Sequence, residues 1–374
     1  MAGSTGGSIF VPDMKILLAG DWHSQVHEEP VAEALIKLGH EVERFKWFAY
    51  FARPQQGAVR GLRHAGRRIQ NKYLFGPIVR RLNRELVEFA LRTSPDLLFA
   101  YRATHILPET IDRIRCARPS TVLATYNNDD PFSSAHPRWL WRHFLSALPA
   151  WDIVFAYRHL NVDDFRRAGA RRSELLRSFF VPECMHPIEL ANERALFESD
   201  VTFAGHYEND GRLQMIEMLA KQGVHVRIFG PSSRLREFDW DHALRSSDVL
   251  RAHIPVRPVW NAEYVQALRG AKIALCFLSK LNRDTYTRRC FEIPATGTLM
   301  LSEYSPDLAT LFREGEEADF FRSGAELVDK VHFYLANDEV RRRVAAAGYR
   351  RVYADGHDVT SRMREMLGHI ERIR

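Results

Sequence analysis

The chain has 374 residues, of which 45% are hydrophobic and 27% charged, with a formal net charge of +6. This composition is that of an ordinary globular protein, and the length suits two domains. No apolar run approaches the roughly 20 residues of a membrane span. Residues 1–13 lack the basic start and apolar core of a secretory signal, so we expect a disordered lead. Four cysteines, far apart in the sequence, exclude a zinc or disulfide framework and favour a reducing cytoplasm.

Short apolar runs alternate with helix-like segments in the first half of the chain. A strand is predicted at Lys15–Ala19, a helix at Pro30–Leu38 and a second strand at Glu41–Phe45. Three further apolar runs are predicted strands: Asp96–Tyr101, Thr121–Tyr126 and Asp152–Tyr157. Alternating strands and helices predict a parallel sheet covered by helices on both faces.

Polar residues that follow these strands are the first candidates for a site, because ligands bind beyond the carboxyl ends of such sheets. We expect a substrate to bind near Ser24, His27, Arg102, Asn128 and Asp129. His23 and Asp130, at the same edge, are candidate catalytic bases by position.

Two other interpretations of this edge are weaker. Gly20 belongs to no complete G-x-G-x-x-G motif, which argues against a nicotinamide dinucleotide. Adjacent carboxylates in the NNDDP run at Asn127–Pro131 point in opposite directions on an extended segment, so no metal site is predicted. An Asx turn into Pro131 is the alternative role for that run.

Residues 53–84 form a basic segment without any acidic side chain and with interleaved apolar residues. Such a segment is typical of a helix that rests on an anionic membrane surface, here the inner face, although a solvated basic face is an equal alternative. Nucleic acid is not expected as a partner, because no nucleic-acid-binding module is present.

The second half begins after a linker at Phe180–Arg194. A strand at Asp200–Gly205 leads into the turn Gly205-His206-Tyr207 and a helix from about Gly211 to Lys221. Glycine would let the backbone approach a pyrophosphate closely, with His206 and Tyr207 facing the same ligand. Further elements are predicted in three segments, the strands Val224–Phe229 and Lys272–Phe277 and the helix Asn261–Arg269. Lys280 follows the last strand and is placed to meet a phosphate.

The most informative stretch is Leu281–Glu303. A polar, basic run enters a short helical core at Cys290–Ala295, which Gly297 ends before an apolar strand. Free N–H groups and the helix dipole at such a turn can bind phosphate, with Arg288 and Arg289 adding charge-assisted hydrogen bonds. Glu292 could then accept from ribose hydroxyls. The alternative is that the arginines are solvated and Glu292 pairs with one of them.

The run RRCFEIPATGTLMLSEYSPDLATLFREGEEADFF resembles the C-terminal signature of group 1 glycosyltransferases, and more narrowly the spore-maturation-protein-type subgroup. The matching positions are Arg289, Phe291, Glu292, Ala295, Gly297, Glu303, Pro306, Phe312, Gly315 and Glu317 or Glu316. His357 and Arg362 match the H-x-x-x-R tail with one extra residue. The resemblance covers residues 200–374 with specific motifs and is at the level of the fold before that.

The resemblance implies an α/β protein of the GT-B type, with two Rossmann-like parallel-sheet domains facing a cleft. Residues 14–185 would be the acceptor domain, 186–356 the donor domain, and 357–374 a helix returning to the first domain. The implied activity is a retaining glycosyltransferase that uses no metal and no cofactor. Its donor substrate would be a UDP-, GDP- or dTDP-sugar, and its acceptor a glycan or a lipid-linked molecule.

Residue roles follow from the same resemblance. Arg289, with Lys280 or Arg288, would stabilise the leaving diphosphate. The donor-binding residues would be Gly205, His206, Tyr207, Asn282, Asp284, Thr287, Arg288 and Glu292. Asp284 stands eight positions before Glu292, where related enzymes often carry glutamate. Two rivals remain: a nucleotide-sugar 2-epimerase on the same architecture, and a catalytically silent nucleotide-sugar-binding subunit, which the departure at Asp284 leaves open.

Overall fold

The structure is a computed structural model that describes residues 13–23, 26–52, 60–189, 194–231 and 239–374. The chain divides into two compact units. The first unit comprises Met1–Ser178 with Val359–Arg374, and the second comprises Phe179–Asp358. The chain thus leaves the first unit after Ser178, before the boundary expected between residues 185 and 186. The predicted lead lies outside the described residues up to residue 12.

The first unit contains a six-stranded, wholly parallel sheet in the order β2-β1-β3-β4-β5-β6. Its strands are β1 Lys15–Gly20, β2 Glu41–Lys46, β3 Leu97–Tyr101, β4 Val122–Asn127, β5 Ile153–Ala156 and β6 Ser173–Leu175. Every residue of β3, β4 and β5 is buried, because helices cover both faces of the sheet. Of these strands, only β6 had no sequence prediction.

Seven helices connect these strands in the described part of the first unit. They are α1 Glu28–Lys37, α2 Phe48–Phe51, α3 Arg60–Tyr73, α4 Pro77–Thr93, α5 Pro108–Ala117, α6 Arg142–Ala147 and α7 His159–Arg167. Helix α1 begins two residues before the predicted start, and Glu28 and Glu29 occupy its first turn. Acidic side chains are favoured there by the helix dipole.

The second unit contains a five-stranded parallel sheet in the order β11-β10-β9-β7-β8. Its strands are β7 Ser199–Ala204, β8 Val226–Phe229, β9 Ala271–Cys276, β10 Leu299–Glu303 and β11 Asp319–Phe321. Its helices are α8 Arg212–Lys221, α9 Trp240–Leu244, α10 Ala262–Arg269, α11 Arg289–Ala295, α12 Pro306–Leu311, α13 Gly324–Ala336 and α14 Asp338–Ala354. Between α9 and α10 the chain forms a 3-10 turn, Arg251–His253, followed by a single bridge between Phe229 and Arg257.

The last helix, α15 Val359–Glu371, belongs to the first unit and packs against α1. Its buried apolar side chains recur at helical spacing: Val359, Met363, Met366, Leu367 and Ile370. Within the described part of the chain, none of the helices combines the length and apolar character required to span a membrane.

Candidate functional site

Arg289 lies at the carboxyl end of the second sheet, at the start of α11. Its guanidinium packs against Gly205, the residue that follows β7. A Cβ atom added at Gly205 would lie only 2.9 Å from Nη1 of Arg289. The guanidinium carbon also lies 5.7 Å from the centre of the Phe203 ring. Gly205, expected to make room for a pyrophosphate, thus makes room for this cation.

The Arg289 guanidinium has no strong partner among the described residues. Its Nε is buried without a hydrogen bond, and Nη2 reaches the Phe277 carbonyl oxygen only at 3.5 Å. Burial opposes its charge, but nearby Cys276, Tyr264 and Glu292 outweigh burial and raise the pKa of Arg289. A charged group taken out of water needs compensation, and a bound anion would provide it.

The backbone at the start of α11 differs from the prediction, because its N–H groups are already engaged. The N–H of Arg289 donates to Oγ1 of Thr287 at 3.2 Å, and the N–H of Cys290 to the Thr287 carbonyl at 3.0 Å. The N–H groups of Phe291 and Glu292 both donate to the Arg288 carbonyl. Thr287 is therefore buried under the helix start and positions α11. These four N–H groups are therefore already bonded and form no free cradle for a phosphate, which leaves the Arg289 side chain as the candidate anion-binding group.

Glu292 is held by two neighbours. Its Oε1 accepts from Nε of Arg288 at 2.7 Å, and its Oε2 accepts from the Tyr264 hydroxyl at 3.0 Å. Burial, followed by the charge of Glu292, raises the pKa of Tyr264 well above its usual value. This is the arrangement of the alternative interpretation, in which Glu292 pairs with an arginine. A carboxylate has about four lone-pair sites, so each oxygen can still accept one ribose hydroxyl.

The turn after β7 contains an ion pair that the sequence analysis missed. Arg212 is buried, and its guanidinium binds both carboxylate oxygens of Asp210, at 2.8 and 2.6 Å, and the His206 carbonyl at 2.6 Å. The ring of Tyr207 contacts Trp240, whose Nε1 donates to the Gly205 carbonyl. The acidic run Glu208–Asp210 just before a helix-starting arginine was the available signal.

The loop after β9 is bound to its surroundings by Ser279 and Glu303. Ser279 donates to Glu208 at 3.0 Å, and its carbonyl accepts from the N–H of Asp284 at 2.8 Å. Asn282 donates its N–H to Oγ of Ser279. Lys280 is more than half exposed and pairs with Glu303 at 3.1 Å. It would have to leave that carboxylate to meet a phosphate.

Two cysteines that are distant in sequence meet behind Arg289. The Sγ atoms of Cys276 and Cys290 are 3.6 Å apart, and both side chains are buried. The hydrogen bond from Cys290, aided by Arg289, lowers the pKa of Cys276, whereas burial raises that of Cys290.

The rings of Phe291 and His357 are stacked, with their centres 4.3 Å apart. This contact joins two positions of the glycosyltransferase signature.

In the first unit, the residues after β1 are organised by Glu28. This buried carboxylate accepts from the N–H groups of Asp21 and Trp22, and it occupies the space that a Cβ at Gly20 would need. Burial raises the pKa of Glu28. The ring of His23 stacks on Phe48 at 4.4 Å, and His27 contacts the Tyr101 hydroxyl at 3.3 Å. Ser24 lies outside the described residues.

The residues after β3 and β4 form one cluster. Arg102 pairs with Asp129 at 2.7 Å, and the Asn128 carbonyl accepts from Arg158. Oδ1 of Asn127 accepts from the N–H of Asp129, an Asx turn. Of the two candidate catalytic bases, His23 and Asp130, the prediction for Asp130 does not fit the structure. Asp130 is fully buried, and its Oδ1 accepts from the Phe132 N–H at 3.0 Å and the Asn161 amide at 2.9 Å, so it stabilises the turn and is inaccessible as a base.

His105, after β3, is held neutral. Its Nε2 lies 2.7 Å from Oδ1 of Asn71 and its Nδ1 3.1 Å from the Thr104 hydroxyl, while the ring packs against Trp47 and Phe51. Burial, aided by the charge of Arg102, lowers the pKa of His105 to about 3. Among the described residues, no group of three or more His, Cys, Asp or Glu side chains is arranged to hold a metal ion.

Comparisons with known proteins fit this architecture. Residues 212–368 match the family model described as Glycosyl transferase-like. No curated protein matches the chain in sequence.

Solved structures match nearly the whole chain at low identity. Sucrose-phosphate synthase from Thermosynechococcus elongatus is 14% identical with a TM-score of 0.65, covering 96% of this chain and 100% of that chain. Anabaena HepE in complex with UDP-glucose is 12% identical with a TM-score of 0.65 and the same coverage. A candidate UDP-N-acetylglucosamine 2-epimerase from Listeria monocytogenes is 12% identical with a TM-score of 0.58, covering 96% of each chain. The fold is therefore that of the GT-B glycosyltransferases, with two parallel-sheet α/β domains.

Proposed function

We propose that the protein is a glycosyltransferase that moves a sugar from a nucleotide-sugar donor to a glycan or lipid-linked acceptor. The observation that carries this proposal is the buried Arg289 guanidinium, which packs on Gly205 and lacks a carboxylate partner among the described residues. The family match over residues 212–368 and the fold shared with HepE, which was solved with UDP-glucose, support a nucleotide-sugar as the donor.

In this proposal the donor diphosphate binds the Arg289 guanidinium through charge-assisted hydrogen bonds. Glu292, whose oxygens each keep an acceptor site, binds the ribose hydroxyls. Arg288 contributes indirectly, since its Nε holds Glu292 at 2.7 Å. Lys280 contributes less, because Glu303 already neutralises it.

The transfer step would retain the configuration at the sugar carbon. The bond from that carbon to the phosphate oxygen breaks, and its electron pair leaves with the diphosphate. The acceptor oxygen forms the new bond on the same face, and its proton passes to the departing phosphate oxygen. Arg289 stabilises the charge that develops there, so this mechanism needs no metal ion. His23 remains a candidate base by position only.

The acceptor side includes a membrane contact in this proposal. Ile69, Tyr73 and Phe75 are exposed large apolar side chains at 51%, 39% and 55%, and basic Arg68 and Lys72 are exposed beside them. Apolar residues among cations suit an anionic lipid surface. Residues 53–59 of the basic segment lie outside the described residues.

Vesicle sedimentation tests this contact. The protein should bind vesicles that contain phosphatidylserine and not those of phosphatidylcholine alone. Ile69→Ser combined with Phe75→Ser should abolish the binding, whereas Ile36→Ser, which alters an exposed isoleucine of α1, should not. Equal binding to both kinds of vesicle, or by the double variant, would remove the membrane from the proposal.

The central test is nucleotide binding followed by turnover. Melting temperatures are measured with UDP, GDP, dTDP and CMP, because a ligand that binds only the folded state raises the melting temperature. One nucleotide should stabilise the wild type and the control Arg245→Met, which changes an exposed arginine, but not Arg289→Ala. Sugar derivatives of that nucleotide are then assayed for transfer with and without EDTA. The proposal fails if no nucleotide raises the melting temperature.

A 2-epimerase is the second candidate, favoured by the fold match to the Listeria protein. It predicts that a UDP-sugar is converted to its epimer when no acceptor is present. A silent binding subunit, suggested by Asp284 in place of glutamate, predicts nucleotide binding without either product.

A further inference from the structure

The second unit contains a cavity of 780 Å³ that none of the roles above involves. Its lining includes Ser199 and Ala271, the first residues of β7 and β9, and Thr298, which precedes β10. It therefore lies at the amino ends of the strands, whereas Gly205 follows the carboxyl end of β7. A six-residue strand separates these two edges of the sheet by about 20 Å.

Three buried polar atoms of the lining lack hydrogen-bond partners among the described residues. They are Oγ of Ser199, Nε of Arg269 and Nε of Arg341. Ser199 is only 7% exposed, so its hydroxyl has little access to bulk water. Each such atom costs roughly 1–3 kcal/mol, and native proteins contain few of them. Three such donors lie around one cavity, where a ligand could complete their bonding.

The charges around the cavity favour an anion. Four Arg and Lys side chains and one histidine face three carboxylates. Lys272 pairs with Asp200 at 2.8 Å, and Arg341 and Arg342 share Asp338. Arg269 has no carboxylate within pairing distance in the described chain, and its Nη1 reaches only the Gly297 carbonyl at 3.3 Å. Partial burial lowers the pKa of Arg269.

The rest of the wall suits a small carbon skeleton. Pro187, Ala345 and the ring of Tyr349 give the cavity an apolar side. Ligand sites commonly combine such an apolar lining with a few converging polar groups.

We propose that this cavity is a second ligand site, separate from the donor site, that binds a small organic anion. The phosphate or carboxylate oxygens of that anion accept from Arg269, Arg341 and the Ser199 hydroxyl, and its carbon skeleton packs on Tyr349 and Pro187. The site does not depend on the transferase proposal, because it occupies the opposite edge of the sheet.

The decisive variant is Ser199→Ala, because ligand and scaffold roles predict opposite results. If the hydroxyl serves a ligand, its removal relieves a buried, unsatisfied group, so the melting temperature without ligand stays equal or rises. The same change should weaken ligand binding by about threefold to tenfold, the effect of one lost hydrogen bond.

Titration calorimetry of the full chain uses glycerol 3-phosphate and citrate as probes, which distinguishes phosphate from carboxylate recognition. Arg269→Met should weaken binding of the favoured probe by more than about tenfold, since a charge-assisted hydrogen bond is lost. The control Arg245→Met should bind as the wild type does. Arg289→Ala should also keep the probe site while losing nucleotide binding, so the two proposals fail independently.

The inference is overturned if neither probe binds the wild type with a Kd below about 1 mM. It is also overturned if Ser199→Ala lowers the melting temperature without ligand, which would make the hydroxyl structural. Loss of probe binding in Arg289→Ala, with Arg269→Met unaffected, would assign the anion to the donor site instead.

Discussion

The two sheets share one architecture, but their carboxyl ends carry opposite chemistry. In the second unit, the buried Arg289 cation has no carboxylate partner among the described residues. In the first unit, three carboxylates at this edge are held by neighbours: Glu28 by two N–H groups, Asp129 by Arg102 and Asp130 by Asn161. Paired carboxylates shape loops, whereas a buried charge without a counter-ion indicates a ligand. The second sheet is therefore where substrate binding should be most sensitive to a single side chain.

The largest expected effect is that of Arg289→Ala. Removing a preorganised donor from a developing negative charge costs roughly 100-fold to 1,000-fold in kcat. Steady-state kinetics with the identified donor should show this loss. The far-ultraviolet circular dichroism should stay unchanged, since the variant also removes a buried charge that lacks a partner.

Arg289→Lys sharpens this prediction. Lysine keeps the charge but loses the planar fork, so it should recover only part of the activity. Turnover of Arg289→Ala within about threefold of wild type, a difference of less than 1.4 kcal/mol, would instead exclude the guanidinium from the mechanism.

In the first unit, the expected effect is on the pH dependence of the free energy of unfolding and not on turnover. His105 has a folded-state pKa lowered to about 3, so the unfolded chain takes up its proton near the ordinary value of 6.5. Stability is therefore unaffected above that value and falls as pH decreases from about 6.5 towards 3. Linkage at about 1.4 kcal/mol per pH unit, reduced for partial exposure, gives a loss of about 1–2 kcal/mol at pH 4.5.

Urea denaturation at pH 7 and pH 4.5 measures this loss. His105→Gln should flatten the dependence on pH relative to the wild type. His242→Gln, which removes an exposed histidine of the second unit, should leave the slope unchanged. An equal slope in His105→Gln and the wild type would show that other groups cause the acid sensitivity.

Glu292→Gln should weaken donor binding by about tenfold in calorimetry, because an amide is a poorer acceptor for ribose hydroxyls than a carboxylate. Tyr264→Phe is the matched control, since it removes the hydroxyl that donates to Oε2 of Glu292 but leaves the carboxylate in place. It should cost about 1 kcal/mol of stability and change donor affinity by less than about threefold. Equal losses in the two variants would mean that Glu292 acts only through its network.

The smallest expected effect is that of Lys280→Met. This ammonium is 58% exposed and bound to Glu303. Exposed ion pairs contribute only about 0–1 kcal/mol, so kcat/KM should fall less than about fivefold. A loss comparable to that of Arg289→Ala would show that Lys280 releases Glu303 and reaches the phosphate.

Much of the fold follows from apolar runs, because strands buried on both faces are continuously hydrophobic. Residues 96–101, 121–126 and 152–157 each predicted a strand that the structure contains within about a residue at either end. The segments SEL at β6 and DFF at β11 are only three residues long and carry no periodicity. Their pairing is decided by neighbouring strands, which a single segment does not reveal.

The sequence indicated which residues form the candidate site, but not the hydrogen bonds among them. The motif around residue 289 identified Arg289 and Glu292, yet it did not show that Thr287 occupies the N–H group of Arg289. Such closure depends on side-chain conformation. The contact between Cys276 and Cys290 likewise exists because the end of β9 adjoins the start of α11. The separation of the two cysteines in the sequence does not indicate this contact.

The membership of α15 in the first unit has a consequence for how the protein is made. Because the whole second unit precedes this helix in the chain, the ribosome releases α15 only after that unit. Until then the surface of α1 against which α15 packs stays uncovered. The first unit, although most of it is synthesised before the second, is therefore completed only after the second. In nascent chains this apolar surface of α1 should be accessible to chaperones throughout synthesis of the second unit.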